Sequence, residues 1–254
     1  MPPSGSKIED VLSSLITKTI PAHIPELETT PHFPPHLTLT SDVPESITEN
    51  DPQEWLDNLS LSIDVIPSVS FLSLDVGQQF FRKLTLSVPK APLQNLAARV
   101  RAVAVEKGDE AAAKRWVEET YAPHVSLLYA DIEIDESKRR RVLHDVVDAG
   151  IRLANEGFLG PSKAEDYDGW NHGRIVLVPT WKELKDWTVV AERSLWNFSA
   201  FNFRQAKFAT PIDRLVWSVW RDPMALSPHF CIFAGLSTTS YNHPCLLQCR
   251  VHIE

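Results

Sequence analysis

Apolar positions along the chain switch between the helical spacing of three to four residues and the strand spacing of two, and each switch predicts an element. Ile8, Val11, Leu12, Leu15 and Ile16 make one face of a helix over residues 6–20. Ser6 with Glu9 forms a capping box at its start, and Pro21 stops it. A proline-rich connector leads to a strand over about 36–41. Asp51-Pro52-Gln53-Glu54 reads as N-cap, N1 proline and N3 acid, opening a helix that turns Trp55, Leu56 and Leu59 inward. Two strand-like runs follow, 68–74 and 80–88, with Gly77 between them for the turn. Residues 92–105 read as a helix broken at Gly108-Asp109. A second helix, 110–120, carries Ala112, Trp116 and Val117 on one face and delivers the chain to a strand over about 124–130. Residues 137–155 form a long helix with Val142, Leu143, Val146, Val147 and Ala154 facing in. Residues 156–173 have no period and read as a surface loop; 174–179 and 187–195 read as strands. The order helix, strand, helix, strand pair thus occurs twice.

The two strands that open these halves begin alike. Residues 34–41 read Pro-Pro-His-Leu-Thr-Leu-Thr-Ser and residues 122–129 read Ala-Pro-His-Val-Ser-Leu-Leu-Tyr. Side chains i and i+2 of a strand share a face, so His36 points with Thr38 and His124 with Ser126. Leu37, Leu39, Val125 and Leu127 point the other way, where a core can take them. Two imidazoles and two hydroxyls on polar strand faces suit an anion. Either triplet alone is more often a satisfied histidine near a strand end; two copies with matched flanks shift the balance to chemistry.

Composition narrows the rest. The chain has 254 residues, 43 % hydrophobic and 23 % charged, which fits one large soluble domain or two small ones. No apolar run approaches the ~20 residues that span a bilayer. The first residues lack both the basic and the apolar stretch of a secretory signal. Three cysteines, an odd number, argue against a disulfide framework and for a reducing compartment. A net charge of −8 argues against binding a nucleic-acid polymer. Lys138-Arg139-Arg140-Arg141 reads as a solvated helix face. His32 and His36 have the spacing of helical metal ligands, but Pro34 and Pro35 exclude that helix, so no metal is expected there. Cys231, His243, Cys245, Cys249 and His252 make only a loose metal candidate, without a second tight pair.

The pair H-x-T and H-x-S resembles the signature of the two-histidine phosphoesterases. The fuller strings 33–41 and 123–131 are similar to the cyclic-phosphodiesterase branch of fungi and plants. The resemblance covers residues ~4–196. It implies a bilobal α+β fold, lobes about 1–90 and 91–196, with duplicated antiparallel sheets around a central cleft. It also implies a monomeric cytoplasmic enzyme (some relatives are Golgi-associated) acting on a small cyclic phosphate, a 2′,3′-cyclic nucleotide or ADP-ribose 1″,2″-cyclic phosphate. Such a reaction needs a base for water and an acid for the departing oxygen, roles that His36 and His124 suit because imidazole titrates near neutrality. Thr38 and Ser126 would bind the phosphate oxygens, and neither metal nor cofactor is called for. Family analogy makes His124 the base and His36 the acid. Tyr129 is placed beside the substrate base by the same analogy; it reads equally well as a core aromatic with a bonded hydroxyl. Two rivals stand: an RNA-end enzyme of the same superfamily, and a non-catalytic nucleotide-binding module.

Two departures from the family bear on the fold. Members begin with a short apolar strand ahead of the first helix, and here Met1-Pro2-Pro3 stands in its place, so one sheet is expected to be a strand short. Residues 197–254 hold all three cysteines and six of the eleven Phe but carry a charge of +2 against −10 for the first 196. They read as an atypical C-terminal extension to a domain that is complete at 196.

Overall fold

The computed structural model describes residues 1–27, 32–47, 51–61, 67–156, 167–195 and the backbone of 229–233. The chain opens with α1 (Lys7–Ser14), a π-helical turn (Leu15–Thr19) and α2 (Ile20–Ala22), followed by β1 (Thr40–Pro44), α3 (Pro52–Asn58), β2 (Ser68–Ser70), β3 (Leu74–Val76) and β4 (Leu84–Ser87). Then come α4 (Gln94–Ala104), α5 (Glu110–Glu119), β5 (His124–Leu128), α6 (Glu136–Asp148), β6 (Gly169–Asn171), β7 (Arg174–Val178), β8 (Ala191–Ser194) and β9 (His229–Phe233). The strands make three sheets, ordered β1-β9-β7-β8, β3-β4-β5 and β2-β6. Every pairing is antiparallel. This is an α+β fold.

Local chemistry explains most element starts. Ser6 Oγ accepts from the Glu9 amide at 3.4 Å, while the Glu9 carboxylate accepts from Gly5 N at 2.7 Å. Asp51 caps α3 by accepting from the Glu54 amide at 2.9 Å. Pro21 does not stop the first helix: it has no N–H to return to Thr17, and the ladder widens into the π turn and runs on to Ala22. Ile8, Leu12, Leu15, Ile16 and Ile20 are all buried along this one stripe. The helix expected over 137–155 ends at Asp148 instead, because Gly150 takes φ +86° and Ile151 turns away to bridge Tyr167. Part of the expected surface loop is a strand: β6 pairs with β2 through Val69↔Trp170. Of the basic run, Arg140 is exposed as expected, but Arg139 folds back onto the Leu74 carbonyl and the Glu156 carboxylate.

The first motif is extended, yet β1 begins only at Thr40. Between His36 and Leu39 its one ladder contact is the antiparallel bridge Leu37↔Val125. Beyond that bridge Asp42 adopts φ +65°. There the buried Arg101 of α4 reaches Thr40 Oγ1, the Ser41 carbonyl and the Asp42 carboxylate, while bonding Glu106 and lying 4.6 Å from the Trp116 ring.

β9 comes from beyond residue 196 and lies inside the large sheet, in register with β1 (Thr40↔Ile232) and with β7 (Leu177↔Ile232). Along β7 the backbone groups of Gly173 and Leu177 face β8, so those of Arg174 face the opposite edge, where Met1 N donates to Arg174 O and Arg174 N to Met1 O. Met1 and β9 therefore follow one another along the same edge. This sheet has four strands, one of them from the segment read as an extension. Gly173, at φ +109°, fits here because a Cβ would stand 2.0 Å from Met1 O. The buried Arg174 locks α1 to this edge through Glu9 (2.6 Å) and Glu192 (2.9 Å).

Candidate active site

The bridge Leu37↔Val125 sets the site. It runs antiparallel along the edge of β5 that β4 leaves open, since β4 takes the other edge through Leu86↔Val125 and Ser87↔His124. Carried one residue either way, this register places His36 across from Ser126 and Thr38 across from His124. Residues directly opposed in an antiparallel pair have Cβ atoms about 4.5–5.5 Å apart and share a face. All four side chains thus lie on one face, each histidine beside the other motif's hydroxyl. Leu37, Leu39, Val125 and Leu127 are buried on the opposite face, as their alternation requires.

The two imidazoles are held similarly by backbone and differently by side chains. His36 is 4 % exposed; its Nδ1 lies 2.7 Å from the Pro34 carbonyl and its Nε2 3.2 Å from the Tyr129 hydroxyl. Half-buried His124 sets Nδ1 2.9 Å from the Ala122 carbonyl and 3.1 Å from Arg82 Nη2. In both motifs the carbonyl two residues back anchors Nδ1, which leaves Nε2 for other partners. Burial pushes both imidazoles down to about 4. For His36 the Pro34 bond opposes the fall, and the neighbouring His124 and the N-terminal amine add to it. For His124 the Ala122 bond and Asp75 oppose it, and Arg82 adds to it. Both rings are neutral near pH 7.

That ionisation carries a stability consequence. A histidine whose folded pKa lies below its unfolded value takes up a proton on unfolding, so stability is full above about 6.5 and falls as pH drops toward about 4. For the fully buried His36 the difference is about 3 kcal/mol, at 1.36 kcal/mol per unit. Urea unfolding between pH 7.5 and 4.5 should show this loss, and His36→Gln should show a flatter profile. Parallel profiles for the two proteins would remove His36 as its source.

The hydroxyls differ. Thr38 is half-buried, whereas Ser126 is buried and donates to the Phe81 carbonyl at 3.0 Å. A hydroxyl has one proton, so Ser126 must turn from Phe81 before it can donate to an anion. Tyr129 is 3 % exposed, with Phe33 stacked on its ring at 3.9 Å. One ring face is therefore covered, and the hydroxyl meets His36 Nε2 beside the candidate site. Arg82 and Phe33 were not singled out by sequence reasoning. Phe33 stands three residues before His36 in the motif string; nothing in the sequence marked Arg82, which reaches His124 over 42 residues. Among the described residues no three His, Cys, Asp or Glu side chains gather as a metal site, and no helix is long and apolar enough to cross a membrane. The cysteine–histidine group of the tail lies outside the described residues, apart from the backbone of Cys231.

An H-x-T segment joined by one bridge to an H-x-S strand, on an α+β fold of antiparallel sheets, marks the class of the two-histidine phosphoesterases. The sequence matches the family described as cyclic phosphodiesterase-like protein over residues 1–195, and the chain belongs to that family of phosphodiester-cleaving enzymes. It is similar to proteins named 2′,3′-cyclic-nucleotide 3′-phosphodiesterase from several fungi. That of Phaeosphaeria nodorum is 35 % identical over 197 residues, covering 77 % of this chain and 96 % of the relative. That of Neurospora crassa is 29 % identical over 209 residues, with the same coverage. That of Saccharomyces cerevisiae is 31 % identical over 173 residues, 58 % of this chain and 70 % of the relative.

Proposed function

We propose that this protein opens 2′,3′-cyclic nucleotides, and the chemically related ADP-ribose 1″,2″-cyclic phosphate, to 2′-phosphomonoester-type products without a metal. The observation that supports the reading is the antiparallel bridge Leu37↔Val125, which joins the segments that carry the two motifs. The names of the fungal relatives support the substrate class. In this reading each lobe presents one motif to a shared cleft, and the protein works as a cytoplasmic monomer. His124 takes a proton from water, the water oxygen bonds to phosphorus, and the P–O3′ bond breaks. His36 gives its proton to the departing O3′. Thr38 and Ser126 donate to the non-bridging oxygens, whose charge rises in the transition state. The five-membered ring is strained and needs no further activation.

Both imidazoles are neutral in the free protein, so the proton that His36 gives up is taken from solvent as the anionic substrate binds. A phosphodiester anion beside a buried imidazole favours its charged form and raises its pKa. The test is turnover of 2′,3′-cyclic AMP by the purified protein, with the product compared chromatographically with 2′-AMP and 3′-AMP. Formation of 2′-AMP, unchanged by EDTA, is expected. A 3′-AMP product would reverse the assigned bond cleavage. Loss on chelation with recovery on adding zinc would overturn the metal-free scheme, and binding without turnover would leave a nucleotide-binding module.

A further inference from the structure

Strand β5 breaks its own alternation just past the second motif. Ser126 lies opposite Thr85 and Leu128 opposite Leu84, so two steps along β5 match one along β4. Such a bulge turns two successive side chains to nearly the same side and shifts the period by one. Leu127 and Leu128 are accordingly both fully buried. Without the bulge Tyr129 would fall on the core face with Leu127; with it, Tyr129 comes round to the face of His124 and Ser126. There its hydroxyl lies 3.2 Å from Nε2 of His36, the histidine of the other motif. Phe33 stacks on the Tyr129 ring at 3.9 Å and Phe81 meets it edge to face at 5.0 Å, which fixes where the hydroxyl stands.

The proton positions around His36 follow from its partners. A carbonyl can only accept, so Nδ1, 2.7 Å from the Pro34 oxygen, carries the hydrogen of the neutral ring. Nε2 then holds a lone pair, and the Tyr129 hydroxyl donates to it. An acid for O3′ needs its proton on Nε2, because the Nδ1 hydrogen stays on the Pro34 carbonyl. Once Nε2 is protonated, the same hydroxyl turns and its oxygen accepts. The second bond, from a cation, is about twice as strong as the first.

We propose that Tyr129 is a positioning residue for His36: brought to the site by the β5 bulge, its hydroxyl holds Nε2 in both protonation states and binds the charged ring more strongly, keeping there the proton meant for the leaving oxygen. This rests on the hydrolytic reading above and deepens it by naming what supports the acid. The other groups acting on His36 are His124 and the N-terminal amine, which disfavour its charged form, and the Pro34 carbonyl, which favours it. Phe33, 5.9 Å from the ring, and Ser126, opposite it in the bridge register, are uncharged. Removing the phenol oxygen alters none of these.

The test reads ionisation and turnover separately. In full-length protein labelled with 15N-histidine, His36 is titrated by NMR in sodium sulfate, a dianion standing in for the phosphate. Its signal is assigned by its loss in His36→Gln. Tyr129→Phe is expected to lower the His36 pKa by about one unit, the charged ring losing the stronger bond. 3-Fluorotyrosine at position 129 should lower it less, because fluorine weakens the oxygen as an acceptor without removing it. The basic limb of the kcat profile should fall with the NMR value: above it Tyr129→Phe is about tenfold slower, and below it the two proteins converge. The same loss is expected on 2′,3′-cyclic AMP and on glycerol 1,2-cyclic phosphate, which has no base. A His36 titration that is unmoved or raised overturns the proposal, whatever the substrate proves to be. A loss confined to the nucleotide, with the basic limb in place, also overturns it, because Tyr129 would then be contacting the base. Should Tyr129→Phe fail to fold, the fluorotyrosine titration decides alone, a lowered value supporting the role and an unchanged one removing it.

Discussion

Alanine at either His36 or His124 is expected to lower kcat/KM for a 2′,3′-cyclic nucleotide by about 10²–10⁴, the usual worth of a general acid or base. The double variant should be little worse than the weaker single one, since base and acid act in one step and losing either already stops concerted proton transfer. Thr38→Ala and Ser126→Ala should cost about 10²–10³ each if they donate to developing charge. The Ser126 effect will be the smaller, because its hydroxyl starts on the Phe81 carbonyl and part of its gain is offset by breaking that bond. Initial rates across a range of substrate concentrations settle this. Near-wild-type turnover by either histidine variant would dismiss the mechanism.

Removing residues 197–254 is expected to destabilise the protein severely, although the family match ends at residue 195. The cut deletes β9, which lies between β1 and β7, and so separates β1 from the rest of its sheet. Backbone hydrogen bonds contribute about 1 kcal/mol each, and losing several along both edges costs on the order of 5 kcal/mol, a large part of a domain's stability. The bared edges of β1 and β7 would also present unpaired N–H and C=O groups to other chains. A 1–196 protein should therefore melt far lower than the full chain, or aggregate. Ile232→Pro, which removes one N–H inside β9 and leaves the length unchanged, should reproduce part of the loss. If 1–196 melts with the full chain and keeps its rate constants, β9 is dispensable and the domain closes at 196.

What could be read from the sequence is what depends on neighbours a few residues away. The α1 stripe from Ile8 to Ile20, the Asp51 cap with Pro52 behind it, and the alternation His36-Leu37-Thr38 are set by helix and strand periods, and the structure has them. The doubled motif also pointed to the family that the chain belongs to, because imidazole and hydroxyl at i and i+2 share a face on an extended chain. Elements failed where one residue's backbone overrode the period: Gly150 ended α6 early, and Pro21 widened its helix instead of ending it. Only tertiary structure decided the rest. The Leu37↔Val125 register, which unites the two motifs, joins residues whose local sequences say nothing of each other. Arg82 was one of many cations until folding set it against His124, and the stacking of Phe33 on Tyr129 was not legible at all. β9 had no legible partner at all, since strand pairing across such separations is fixed by which sheet edge stands open, and that edge exists only once β1 and β7 are in place.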